Sequence, residues 1–263
     1  MLRIHLFAVV VLLMAVSGTA QLAVADETGT PPVRLSDDAS WVRYHVKIRD
    51  YDGTELAKKV TISSVGRRTE NGRQNRWLEF KEEDTDGQRS KQIEVIKVSI
   101  PERELLSAEK PLLHVVRFSY KTSIGKVNLV NELSDKDQND RFNIHLGPYM
   151  LFFPGPLQQT RKLGETKTID YQMGRLTCDV GVTGRHTSGY RSTTVEADVF
   201  WTTDYSLWLH KDVPFGFVAA TMKTTKGVRD DKGTFLGGPQ SKTSEYFLED
   251  AGTGAKSSLQ END

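Results

Sequence analysis

Apolar and polar residues alternate along four successive segments in the first half of the chain, which is typical of β-strands that bury one face. In the first segment Tyr44, Val46 and Ile48 stand two residues apart. The turn signals that separate the segments are Asp52-Gly53, Asn71-Gly72 and Asp86-Gly87. Such regular spacing predicts an up-and-down antiparallel sheet.

One short helix is predicted directly after the fourth strand. Pro101 suits a first helical position, acidic and helix-forming residues follow it, and Pro111 ends the segment. The further strand candidates are residues 112–122, 127–133, 166–183, 190–202, 205–210, 215–226 and 243–248. The fold prediction is mainly β: a single curved antiparallel sheet, a half-barrel or open barrel, with one short helix, over residues 41–248. A boundary near 147–163 is the alternative, but no change in composition supports it.

The N-terminal 25 residues have the three parts of a secretory signal peptide. Arg3 supplies the positive charge, residues 6–16 form an apolar run, and Ala23-Val24-Ala25 fits a cleavage site. The alternative, an uncleaved anchor, is disfavoured because the run is too short to span a bilayer. The expected location is therefore periplasmic or extracellular. Residues 26–40 are predicted to be a flexible leader, and residues 249–263 a disordered tail.

Charge and cysteine content remove several classes of function. The 35 basic and 35 acidic residues balance, which gives no electrostatic argument for binding nucleic acid. No segment after the signal peptide is apolar enough to be predicted as a transmembrane helix. Cys178 is the single cysteine, so no internal disulfide forms. Its alternating, strand-like surroundings favour a small buried side chain over a reactive thiol.

Catalytic and metal-binding motifs are incomplete wherever they begin. Asp135-Lys136-Asp137-Gln138-Asn139 matches the start of a calcium loop, but Asp140 and Leu146 replace the required Gly and Glu. Glu196 and Asp198 would share a strand face as a glycosidase pair does, yet no third carboxylate follows. We therefore predict no catalytic residue, no metal site and no cofactor.

The histidines of the expected mature chain also lack the spacing of a metal or catalytic motif. They are His45, His114, His145, His186 and His210. An enzyme remains the third hypothesis, and it requires two of the last four histidines to meet an acid in one cleft.

Two groups of aromatic and apolar residues are the candidate binding residues. The first comprises Trp201, Tyr205, Trp208 and Phe215, which suit either a stacking platform for sugar or lipid or ordinary core packing. The second lies in the proline-rich run 147–156 and comprises Tyr149, Leu151, Phe152 and Phe153. Three prolines exclude a central strand there. The run is either an exposed loop that inserts into a partner or lipid, or a buried lid on the core.

Several segments resemble a group of uncharacterised exported bacterial proteins of the planctomycete type. The resembling segments are Trp41-Val42-Arg43-Tyr44, Arg76-Trp77-Leu78-Glu79, Ile100-Pro101-Glu102, Pro111-Leu112, His114-Val115-Val116-Arg117 and Asp212-Val213-Pro214-Phe215-Gly216-Phe217-Val218. That group is distantly similar to periplasmic lipoprotein carriers of the LolA and LolB type. The resemblance implies an open half-barrel wrapped over helices, a hollow that holds lipid, and no catalytic motif.

Two hypotheses about function follow from these observations. The first is a non-enzymatic envelope protein that holds a lipid or a lipidated protein in the concave face of the sheet, which predicts a continuous apolar hollow. The second is a structural or interaction module that binds envelope protein or polysaccharide, which predicts a filled core and no cavity.

Overall fold

A computed structural model describes residues 37–70, 72–85, 94–107, 111–121, 128–130, 149, 152–153, 160–192 and 196–259. These residues belong to one compact unit, Pro31–Asp263. The predicted signal peptide, most of the predicted leader and the incomplete calcium loop lie outside the described residues.

The described elements are strands, one short α-helix and a 3-10 helix. The strands are β1 (Trp41–Arg49), β2 (Glu55–Glu70), β3 (Arg73–Asp84), β4 (Glu94–Pro101), β5 (Arg117–Lys121), β6 (Asn128–Val130), β7 (Arg161–Leu163), β8 (Thr168–Tyr171), β9 (Gly174–Thr177), β10 (Val180–Ser192), β11 (Ala197–Leu209), β12 (Phe217–Arg229) and β13 (Gln240–Gly252). The helices are α1 (Glu102–Ser107) and the 3-10 helix Pro111–His114.

Eleven strands form one antiparallel sheet in the order β6-β5-β4-β3-β2-β1-β13-β12-β11-β10-β7. The two terminal strands, β6 and β7, do not pair with each other, so this sheet is not closed into a barrel. Strands β8 and β9 form a separate hairpin. The mainly β prediction, with an open curved antiparallel sheet and one short helix, is confirmed.

One face of the sheet carries the apolar core, and we call it the inner face. Side chains at directly paired positions share a face, so the face that holds Tyr44 can be followed from strand to strand. Its buried members include Val42, Tyr44, Val46, Val60, Ile62, Leu78, Phe80, Ile96, Val98, Ile100, Tyr246 and Leu248. Alternation along β1 to β4 therefore directs one continuous apolar surface to this side.

Helix α1 is attached to β3 by a buried ion pair. Arg76 is 2% exposed, and its Nε and Nη2 donate hydrogen bonds of 2.9 and 2.8 Å to Glu102 Oε1. Arg67 Nε approaches the same oxygen at 2.9 Å. Leu105 is fully buried. The helix contributes one apolar side chain to the core and one carboxylate that neutralises a buried arginine.

The opposite, outer face is covered in two places. The β8–β9 hairpin lies over β13, where the Gln172 backbone N–H donates a 3.2 Å hydrogen bond to the Glu249 carbonyl. Lys167 Nζ sits 4.0 Å from the centre of the Trp208 ring. Residues 253–259 cover β3 and β4, as described below. Both faces of β3 are consequently buried over residues 75–80.

Several boundaries differ from those predicted. The disordered tail is wrong for residues 249–259, because β13 continues to Gly252 and the chain then packs on the sheet. The flexible leader is wrong for residues 37–40, where the Ala39 N–H bonds the Ser64 carbonyl at 2.8 Å. Residues 166–183 form a hairpin and the start of β10 rather than one strand. Residues 190–202 include the end of β10 and the beginning of β11, and β11 continues without a break to Leu209.

Candidate functional site

An aromatic cluster occupies the middle of the inner face, and Phe152 lies at its centre. The ring centroid of Phe152 is 4.4 Å from Phe217, 5.4 Å from Tyr44 and 5.8 Å from Tyr246. The three neighbours come from β12, β1 and β13. The offset and tilted ring pairs are favourable for aromatic packing. Phe152 thus contacts one aromatic ring on each of three neighbouring strands of the sheet.

Tyr149 and Phe153 extend this cluster over β3. Tyr149 stacks on Phe80 with ring centroids 4.7 Å apart, and Phe153 meets the edge of Phe80 at 6.4 Å. Tyr149, Phe152 and Phe153 are each at most 1% exposed. These three side chains are therefore buried, in agreement with the second alternative for residues 147–156, a lid on the core. Leu151 lies outside the described residues.

A polar group of three residues fixes the edge of the cluster. The Tyr149 hydroxyl donates a hydrogen bond to Glu82, and Lys58 Nζ approaches Glu82 Oε2 at 2.6 Å. Burial, and secondarily the Glu82 carboxylate, raises the pKa of Tyr246. Burial also raises the pKa of Tyr44, whose hydroxyl donates a 2.9 Å hydrogen bond to the Phe217 carbonyl. These tyrosines act as neutral packing groups near pH 7.

The four aromatic residues predicted as a platform do not share one surface. Tyr205 lies on the inner face and Trp208 on the outer face, and both are buried, as is Phe215. Trp201 is half-buried. Burial and Asp50 raise the pKa of Tyr51, whereas a hydrogen bond with Trp201 opposes that shift. Core packing is therefore confirmed for Tyr205, Trp208 and Phe215.

A cleft of about 820 Å³ opens at the β1–β2 turn, and sequence analysis missed it. Ile48 and Leu56 provide apolar walls, and Ile48 belongs to the inner-face core. The charged lining residues are Lys47, Arg49, Glu55, Asp84 and Glu245. Hydrophobic alternation cannot reveal such a cleft, because its walls come from strand ends and a turn.

The described histidines occupy separate places. His114 Nε2 is 3.9 Å from Glu104 near the helix, and His210 Nε2 is 3.7 Å from Asp179 at the end of β11. His145 lies outside the described residues. Glu196 stands in the turn before β11 with φ 47°, so the expected same-face strand pair with Asp198 is not formed. Within the described ranges, no three His, Cys, Asp or Glu side chains group as metal ligands.

Cys178 is a small buried side chain, as the sequence predicts. The side chain is 4% exposed, and burial raises the pKa of the thiol to about 11. Lys167 lowers the pKa and Asp179 raises it, and both effects are smaller than that of burial. The thiol is therefore protonated at neutral pH.

Two solved structures show distant likenesses to this chain. No protein-family model and no curated protein matches the chain. A Bacteroides fragilis NCTC 9343 protein with a YmcC-like fold, described as exported, has a TM-score of 0.34 and 9% identity, covering 84% of this chain and 99% of its own. A LolA superfamily protein from Nitrosomonas europaea has a TM-score of 0.28 and 11% identity, covering 86% and 90%. Neither likeness is close enough to define the family or the function of this chain.

The part of the chain that the structure describes contains no helix long and apolar enough to cross a membrane.

Proposed function

We propose that this protein is an exported, non-enzymatic binding protein of the cell envelope, which holds an acyl chain or a lipidated partner on the inner face of its sheet. The observation that carries the proposal is the aromatic cluster around Phe152. In this proposal Tyr149, Phe152 and Phe153 form a lid, which withdraws when the ligand enters.

The arrangement of the cluster supports a removable cover. The three lid residues are not part of any strand of the sheet, and they rest on an apolar face that the strands themselves complete. Lid withdrawal therefore breaks side-chain contacts but no hydrogen bond of the sheet ladder. The hydrogen bond from Tyr149 to Glu82 is a polar attachment of the lid that must also break.

The energies favour an acyl chain over the lid. Exposing an aromatic side chain costs about 1.5–3 kcal/mol, so withdrawing all three costs roughly 5–9 kcal/mol. A buried saturated chain of about 16 carbons gains roughly 12 kcal/mol at about 0.8 kcal/mol per CH₂. Such a ligand can displace the lid, whereas a short apolar molecule cannot.

The second candidate is an interaction module that binds envelope protein or polysaccharide without a hollow. The observation in its favour is that Tyr149, Phe152 and Phe153 fill the inner face as core residues do. In that case the three side chains are a permanent part of the core, and no ligand competes with them.

The test combines extraction with titration. Residues 26–263 are purified without detergent from an exporting host, and the organic extract is analysed by mass spectrometry. A stoichiometric lipid is expected. The delipidated protein is then titrated with a fluorescent long-chain fatty acid, and Tyr149→Phe is expected to bind it several-fold more tightly, because this variant loses the attachment to Glu82 and keeps the ring.

Phe235→Ala is the matched control, since Phe235 is 48% exposed on the β12–β13 loop. Its affinity should equal that of the wild-type protein. A clean extract, together with no saturable fatty-acid binding by either the wild-type protein or Tyr149→Phe, would overturn the carrier proposal and leave the interaction module.

A further inference from the structure

A row of buried polar side chains crosses the outer face of the sheet, at positions where buried side chains are usually apolar. Ser63, Glu79, Lys97 and Ser119 occupy directly paired positions on β2, β3, β4 and β5. All four are buried, with Glu79 4% and Lys97 8% exposed. Serine, glutamate and lysine are the residues of a solvated sheet face, and burying a charge is costly unless its partners are supplied.

Residues 253–259 supply those partners. The Ser257 hydroxyl donates a 2.9 Å hydrogen bond to Glu79 Oε2, and the Ser258 hydroxyl donates a 2.6 Å bond to Glu79 Oε1. The Ser258 backbone N–H lies 2.9 and 3.1 Å from the two carboxylate oxygens. The Glu79 carboxylate thus accepts from the hydroxyl and the backbone amide of Ser258, and it shares the single Ser257 hydroxyl proton with the Leu259 carbonyl, which is 2.7 Å from that hydroxyl.

Leu259 completes the contact. Its side chain is 2% exposed, and its carbonyl accepts a 3.4 Å hydrogen bond from Lys97 Nζ. The same ammonium lies 4.8 Å from the centre of the Trp77 ring. The surface formed by Trp77, Glu79 and Lys97, which we call the outer groove, therefore recognises two hydroxyl residues followed by an aliphatic one.

Within the described part of the chain, two hydrogen bonds also hold the segment outside the outer groove. The Ala255 N–H bonds the Ala39 carbonyl at 2.8 Å, and Trp41 Nε1 donates to the Thr253 carbonyl at 3.3 Å. Thr253, Gly254, Lys256 and Ser258 remain exposed overall. None of the contacts to Glu79 and Lys97 requires that the segment be joined to β13. It is bound as a separate short peptide would be, with bends at Thr253 and at Ser258–Leu259.

We propose that the outer groove is a peptide-binding site, whose intramolecular occupant is residues 253–259. The external ligand is a short segment of a partner protein that has two consecutive hydroxyl residues followed by an aliphatic residue and bends there as residues 257–259 do. It binds by replacing the C-terminal segment. A tethered occupant acts at an effective concentration on the order of millimolar, so the intact protein binds such a peptide only weakly until its own segment is released.

The test uses the full chain and a fluorescently labelled, C-terminally amidated peptide of residues 252–259, followed by anisotropy. The protein variant Ser257→Ala/Ser258→Ala keeps an intact outer groove but weakens its own occupant. Hydrogen bonds to a charged group are worth enough that this variant should bind the peptide at least about tenfold more tightly than the wild-type protein.

Two controls test recognition by Glu79. A peptide with both serines replaced by alanine should bind the variant at least about tenfold more weakly, and this control needs no further change to the protein. Adding Glu79→Gln to the variant should weaken binding of the original peptide similarly. Equal affinity of wild-type and variant protein for the original peptide, or equal affinity of the two peptides, would overturn the proposal.

Discussion

Replacing Phe152 by alanine tests the packing of the inner face. The centroid of the Phe152 ring lies 4.4–6.2 Å from the centroids of four other aromatic rings, those of Phe217, Tyr44, Tyr246 and Tyr149. The Phe152 side chain is 1% exposed. Removing a buried phenylalanine ring costs about 3–5 kcal/mol from lost transfer energy and the cavity that remains. Each aromatic pair contributes about 0.5–1.5 kcal/mol beyond burial, although such terms do not add simply.

The expected loss in the free energy of unfolding is therefore about 4 kcal/mol, a large share of the 5–15 kcal/mol that folded domains typically have. Urea unfolding followed by tryptophan fluorescence measures it, with delipidated protein so that bound ligand does not add stability. Phe152→Leu keeps most of the apolar volume and should lose less than half as much.

The alternative outcome has a definite structural meaning. A loss below about 1 kcal/mol is the size expected for an exposed side chain. It would show that Phe152 does not pack among Tyr44, Phe217 and Tyr246 in solution. The lid and the energies assigned to its withdrawal would then be refuted together.

Three further predictions concern other parts of the sheet. Glu102→Gln removes the carboxylate to which the buried Arg76 donates two hydrogen bonds, and it should lower the free energy of unfolding by about 2–4 kcal/mol in urea titrations. The same change at exposed Glu55 should have little effect. The Cys178 thiol, with its pKa raised to about 11, should react with a disulfide reagent at pH 8 at least 100-fold more slowly in the native protein than in urea. The free energy of unfolding should fall as pH rises from about 9 toward 11 and beyond. Burial raises the folded-state pKa values of Cys178, Tyr44 and Tyr246, so the unfolded state releases those protons first. A urea midpoint that is unchanged between pH 7 and 10.5 would contradict this.

The first four strands could be predicted because their signals are local. Tyr44, Val46 and Ile48 alternate with exposed or half-buried residues, and the turn glycines Gly53 and Gly72 adopt positive φ. The end of β10 and the start of β11 could not be found in the same way. The sequence between Ser192 and Ala197 is Thr-Thr-Val-Glu, which contains no glycine, proline or asparagine and favours strand.

The sequence identifies three residues of the candidate site but not their burial, and the reason differs from that for the strands. Tyr149, Phe152 and Phe153 could be selected from an apolar, proline-rich run, but periodicity carries no information about direction once the chain leaves regular structure. Their burial depends on contacts with Tyr44, Phe217 and Tyr246. Alternation shows that these three residues share a sheet face only once the register of β1, β12 and β13 is known. The two alternatives for the run therefore had to remain open.

The C-terminal segment shows the same limit more sharply. Its composition, Thr-Gly-Ala-Lys-Ser-Ser, is that of a disordered tail, because small polar residues bury too little apolar surface to order themselves. What orders it is a carboxylate 179 positions away from Ser258. Alternation along β3 places Glu79 on the face opposite Phe80, but it does not show what covers that face. A buried carboxylate on an otherwise polar sheet face needs donors from somewhere in the chain, and in this protein the serines of the tail supply them.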